Sequence, residues 1–237
     1  MTPALYYLTP SFAGGLEIAD PSLPSTLFDP DLWQPSIFDT IAEYIRLHGA
    51  ESMNQTKRRE MAREIFAAML KAATTHRQRI DKLDVTQAGL RAHDWLCVVG
   101  VDSETRVRLQ IVKSGQSPEF AFRSGDRTNL WSETGDAVRR LTGDGTVPFE
   151  GAIPKFLPYE SLVCVRPNDF GYWEIADKAA LKLAGFHGIL PNMDMLHRLI
   201  VRFFTGRADT HENTWGFPPP GISTQDWTPP LELSVGT

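Results

Sequence analysis

The chain has 237 residues with a net charge of -5, 42% hydrophobic and 22% charged positions. That composition is typical of globular proteins, and the acidic balance argues against a nucleic-acid partner, which would need a clustered Lys/Arg excess. The densest basic run, Lys57-Arg58-Arg59, is followed by Glu60 and Glu64 and reads as a solvated helix face. Residues 1–10 lack the charged and apolar regions of a signal peptide, and no apolar run approaches the ~18 residues of a membrane span.

Residues 1–35 hold six prolines and Gly14-Gly15, interspersed with Leu5, Tyr6, Tyr7, Leu8, Phe12, Leu27, Phe28 and Trp33, and predict an ordered loop lying on a surface. Ser36 is a plausible N-cap. Ile37, Ile41, Tyr44 and Ile45 follow at helical spacing, with a stop at His48-Gly49. A longer helix is expected from about Asn54 to Lys82, burying a stripe of Met61, Ile65, Met69, Leu70, Ala73, Ile80 and Leu83. These two helices suit either a cap inserted into an enzyme fold or a plain hairpin packed on a sheet.

Strand signals follow. Residues 94–101 form a compact apolar run suited to a buried strand, and residues 106–112 alternate with period two. Residues 119–123 alternate as well, so a hairpin across residues 113–118 is predicted. A short buried strand is expected at residues 162–165, and a helix at 193–204 burying Met195, Leu196, Leu199, Ile200, Phe203 and Phe204. The tail from Asn213 to Thr237, with five prolines, reads as irregular and anchored by Trp215 and Trp227. Cys97 and Cys164 sit in apolar runs, where a free cysteine behaves as a small hydrophobe. Their number gives neither a metal spacing nor a disulfide framework, so no cofactor or metal is expected and a reducing, cytoplasmic setting fits.

The chemistry-bearing stretch is Gly143-Asp144-Gly145-Thr146-Val147-Pro148, followed by Gly185-Phe186-His187-Gly188-Ile189-Leu190. Flanking glycines permit a sharp turn with positive φ and leave the carboxylate unobstructed. On its own, Gly-Asp-Gly is most often a surface turn, and a His beside a Phe is more often structural. Together, Asp144 and His187 preserve the last two steps of the Ser, Asp, His chain order of α/β-hydrolases. His197 is expected to pack or cap within the final helix, and the sequence identifies no convergent partners for His48, His76, His93 and His211.

These residues resemble the acid motif and the His loop of lecithin:cholesterol acyltransferase-like α/β-hydrolases, a group of lipid acyltransferases and phospholipases. Leu23-Pro24-Ser25, with Phe28-Asp29-Pro30 and Trp33 after it, is similar to the stretch that leads into that family's cap. The resemblance implies an α/β fold, specifically an incomplete α/β-hydrolase made of C-terminal strands and helices with a helical cap-like segment. It implies a cap-like part over 1–92, a C-terminal hydrolase core over 93–212 and an irregular tail over 213–237. Asp144 would be the acid and His187 the general base, acting on an acyl lipid or ester. No Gly-x-Ser-x-Gly occurs in the sequence; Ser124 precedes Gly125, but Phe122 stands where the elbow's first Gly belongs, so a turn serine is expected there. The resemblance therefore places the Ser nucleophile and oxyanion loop upstream of residue 1, and catalysis by this chain alone is not expected. The rival expectation is a non-catalytic, hydrolase-derived module that binds a partner polypeptide.

Overall fold

The computed structural model describes residues 6, 8–10, 12, 14–49, 52–125, 141–170 and 185–236. Pro3, Leu5, Tyr7 and Ala50 lie outside them. The chain is of mixed α and β content and divides into two compact units. The first comprises Met1–Ser11, Leu16–Leu83 and Leu109–Ala121; the second comprises Phe12–Gly15, Asp84–Arg108 and Phe122–Thr237.

In the first unit, helices α1 (Ser36–Leu47) and α2 (Gln55–Asp81) pack as a hairpin. Ser36 is the first helical residue rather than the cap: Pro35 occupies the N-cap position and offers no side-chain acceptor. Asn54 does cap α2, its side-chain oxygen accepting from the Lys57 amide at 2.9 Å. The buried stripe of α2 is Ala62, Phe66, Leu70 and Ala73, whereas Met61, Ile65, Ile80 and Leu83 are exposed. The expected stripe is thus rotated by about one residue. The helix is apolar on two adjacent lines, and the aromatic residues select between them. The Phe66 ring is met edge-on by Tyr6, Trp33 and Phe38 with centroids at 5.3, 5.4 and 5.7 Å, a favoured aromatic geometry. The alanines on the same line leave room for α1.

Strand β1 (Leu16–Ile18) pairs in parallel with β3 (Thr105–Ser114), Leu16 opposite Leu109 and Ile18 opposite Ile111. β4 (Ser117–Gly125) lies on the other side of β3. Burial along β3 alternates as its period-two pattern demands. The β3–β4 turn is tighter than residues 113–118 suggest: Gly115 and Gln116 alone make it, Gly115 at φ 61°. Glycine at the first central position with positive φ is the requirement of a two-residue type II′ hairpin. Leu27, Leu32, Leu109 and Ile111 form a second cluster of this unit, with the Trp33 indole N–H donating to the Leu27 carbonyl at 2.7 Å.

The second unit is built on two parallel strands, β2 (Val98–Gly100) and β5 (Val163–Val165), paired Val98 to Val163 and Gly100 to Val165. Each strand is covered on both faces, which is why both read as unbroken apolar runs. Val163 and Val165 face Phe170, Phe186, Ile189, Met193, Met195, Leu199 and Trp227, while Val99, Val101 and Cys164 face Phe149, Leu157 and Phe217. β2 is shorter than expected. Residues 92–94 turn instead, closed by the Asp94 carboxylate accepting from the Arg91 amide at 2.7 Å.

Helix α3 (Asp194–Thr205) buries Met195 and Leu199, and Leu196 packs partly against the same cluster. Ile200 and Phe204 are exposed, against expectation; Phe204 is 79% accessible. The tail is anchored by its tryptophans. Trp227 is buried and donates from Nε1 to the Leu162 carbonyl at 2.8 Å, and Trp215 Nε1 donates to Asp169 at 3.1 Å. Two short strands, β6 (Trp215–Gly216) and β7 (Ser234–Val235), pair within it. Among the described residues, no helix is long and apolar enough to cross a membrane.

Candidate functional site

The site is assembled in the second unit, beyond the C-terminal end of β2. A backbone bridge joins Ser103 to Asp144, the Ser103 amide donating to the Gly143 carbonyl at 3.1 Å. That bridge brings the acid turn to the end of a strand that precedes it by some forty residues in sequence. Within the turn, Gly143 bridges to Pro148 and the Asp144 amide donates to the Val147 carbonyl at 3.2 Å. The two flanking glycines have different reasons to be there. Gly145 stands at φ 94°, a conformation few other residues accept. Gly143 is needed for space: a Cβ there would run into the Val147 carbonyl oxygen and stand 2.8 Å from Thr105 Cγ2.

The Asp144 side chain is fully committed. Oδ1 accepts from the amides of Thr146 and Val147 at 3.0 and 2.7 Å, and Oδ2 lies 2.8 Å from His187 Nδ1. An aspartate carboxylate offers acceptors only, so Nδ1 is the donor and Nε2 is the nitrogen left to accept. The carboxylate is buried while the imidazole is about half exposed, with side-chain accessibilities of 10% and 48%. One end of the ring is fixed and the other faces outward, an arrangement suited to passing a proton.

His187 owes its place to its neighbours. Residues 185–189 are helical and their apolar members Phe186 and Ile189 are buried in the cluster around Val163 and Val165. Phe186 also reaches the end of β2. A Cβ on Gly100 would stand 2.7 Å from Asp144 Cβ and 2.9 Å from Phe186 Cε1. Gly100 is therefore the contact point at which strand, acid and histidine segment meet. An isolated glycine in an apolar run signals a close backbone approach but gives no hint of what approaches.

The other histidines are elsewhere. His197 Nε2 lies 2.8 Å from the Pro191 carbonyl, a local tie at the start of α3, and the His48 ring packs on Tyr44. Ser124, expected in a turn, belongs instead to strand β4. Cys97 and Cys164 carry raised thiol pKa values because burial disfavours the thiolate, Cys97 pushed up to about 11 and Cys164 well above the usual range. Burial of this kind disfavours the thiolate that a cysteine nucleophile uses. Among the described residues, no group of three His, Cys, Asp or Glu side chains is placed to hold a metal.

Among the described residues, Asp169 is the other buried carboxyl of the unit. Its pKa is raised because desolvation outweighs the Arg166 amide, the Trp215 indole N–H and the Arg166 charge. Its partners are local or in the tail, so it serves to hold the tail to residues 166–169. No family model, no curated protein and no solved structure matches the chain.

Proposed function

We propose that Asp144 and His187 are the acid and general base of a serine-type acyl-transfer site, in the C-terminal portion of an α/β-hydrolase related to the lecithin:cholesterol acyltransferases. The observation that carries the reading is the 2.8 Å contact between His187 Nδ1 and Asp144 Oδ2 at the C-terminal end of a parallel strand pair. In open parallel sheets, reactive groups gather outside the carboxyl ends of the strands, and acid before histidine is the hydrolase order.

In this reading His187 Nε2 takes the proton from a serine hydroxyl as that oxygen attacks the acyl carbonyl. It then returns the proton to the departing alcohol oxygen. Asp144 keeps the Nδ1–H tautomer and stabilises the imidazolium formed in between. The serine would come from a polypeptide bearing a Gly-x-Ser-x-Gly elbow, which these 237 residues do not contain. The substrate class is an acyl lipid or other ester.

The genomic DNA upstream of the Met1 codon tests the reading cheaply. An in-frame extension or adjoining reading frame that encodes Gly-x-Ser-x-Gly after a strand is the expected finding. A stop codon close upstream with no neighbouring hydrolase half would contradict it.

A second reading, a non-catalytic module of the same descent that binds a partner polypeptide, draws on one observation. Ile200, Val201 and Phe204 of α3 are exposed at 39%, 52% and 79%, which is unusual for large apolar side chains close together on one helix. A folded, monomeric chain that is inert toward p-nitrophenyl esters, with and without the upstream-encoded sequence, would favour this second reading.

A further inference from the structure

Two buried threonines fasten the acid turn to the residues that follow β2. The Gly145 amide donates to Thr105 Oγ1 at 2.9 Å, and that hydroxyl in turn donates to the Ser103 carbonyl at 2.8 Å. The Asp102 amide donates to Thr142 Oγ1 at 3.0 Å. Thr105 and Thr142 are each 1% exposed, so neither hydroxyl is on the surface to be hydrated. Buried polar groups are retained where they are hydrogen-bonded, and here both are spent on the same two segments. Asp102 meets this turn with φ at 65°, a left-handed conformation uncommon for a residue other than glycine. Backbone held there persists only when its surroundings over-determine it.

From this geometry we propose that Thr105 is a positioning residue for the Asp144–His187 pair. Its hydroxyl fixes the Gly145 amide one bond beyond Asp144, and its Cγ2 closes the space beside Gly143. The acid turn is thereby gripped on both sides of the carboxylate. The position of Asp144 Oδ2, and hence of the His187 ring, follows from that grip rather than from the turn alone. The proposal rests on the reading of this pair as an acid–base unit, but its test does not use turnover.

The readout is the His187 ring in the 15N-histidine-labelled 237-residue chain, assigned with His187→Gln. In the wild-type chain, a slowly exchanging Nδ1–H resonance and the matching nitrogen shifts are expected. Thr105→Ser keeps the hydroxyl and retains that resonance. Thr105→Val keeps the shape and loses the hydroxyl; exchange of Nδ1–H with solvent is expected to rise at least tenfold, or the resonance to vanish, while the shifts of the other histidines stay put. An unchanged Nδ1–H signal in Thr105→Val overturns the proposal.

Hydrogen exchange at the Gly145 amide of the wild-type chain tests the bond on which the grip depends, without any substitution. Protection of a hundredfold or more is expected, and exchange at the rate of a free amide overturns it. If these signatures are found but no ester is turned over by any form of the protein, Thr105 positions the pair and it is the acyl-transfer reading that falls.

Discussion

Gly100→Ala is the substitution that presses hardest on the site's construction. The added Cβ would stand 2.7 Å from Asp144 Cβ and 2.9 Å from Phe186 Cε1, where carbon pairs settle at about 3.5–4.0 Å. Neither neighbour can yield cheaply. Asp144 is held by two amides on Oδ1 and the imidazole on Oδ2, and Phe186 is 3% exposed inside the core of the second unit. Overpacking of this kind costs about 1–3 kcal/mol. With a slope of roughly 2–3 kcal/mol per M urea, a loss of about 2 kcal/mol lowers the unfolding midpoint by roughly 0.7–1 M. The assay is urea unfolding followed by tryptophan fluorescence, reported by Trp215 and Trp227 in that unit. A Gly100→Ala midpoint within about 0.2 M of wild type, a shift below ~0.5 kcal/mol on the same slope, would refute the packing argument.

Three further outcomes are expected. Asp144→Asn places an amide N–H₂ or a single carbonyl opposite His187 Nδ1 and removes the charge, so the ring shifts toward the Nε2–H tautomer, read by 15N shifts; in an active form of the protein, kcat falls by about 10⁴-fold. Native alkylation by iodoacetamide at pH 8 is slow, because a Cys97 thiol with a pKa of about 11 holds roughly two hundredfold less thiolate than one near 8.5, and the rate climbs about tenfold per pH unit until about pH 11. The folded thiol keeps its proton above the unfolded value, so its contribution to stability is fully present below about pH 8.5 and is lost as pH rises toward about 11; a thermal-unfolding series over pH 8–10.5 that shows no decline, once compared with Cys97→Ala, would contradict the burial assigned to this group.

The two residues of the proposed pair carry local signals in the sequence. Gly143-Asp144-Gly145 states its turn, and His187 follows in hydrolase order. What places them was not legible. Gly100, Thr105 and Thr142 lie some forty residues in sequence from the segments they touch, and nothing in their own neighbourhoods names those partners. The Ser103–Asp144 bridge and the hydrogen bonds beside it give them a common location.

The same distinction runs through the fold. β3 declared itself by alternation, and β2 and β5 by apolar runs that are covered on both faces. α2 was recognisable as a helix but not in its rotation, since Met61-Ile65-Met69 and Ala62-Phe66-Leu70 compete as adjacent lines. The choice falls to the line whose Phe66 finds an aromatic socket. On α3 the periodicity offered more apolar positions than the core receives. Met195 and Leu199 fill it, and Phe204 is left outside.

In the proposed reaction His187, held by Asp144, moves the proton in an acyl-transfer step. Its most direct test is p-nitrophenyl ester turnover by the protein expressed together with its upstream coding sequence, wild type against His187→Ala. Turnover by the wild type and a loss of about 10³-fold or more on removing the imidazole are expected. A wild-type preparation that turns over no ester, or turnover that survives His187→Ala within about threefold, well under ~1 kcal/mol of barrier, would contradict it.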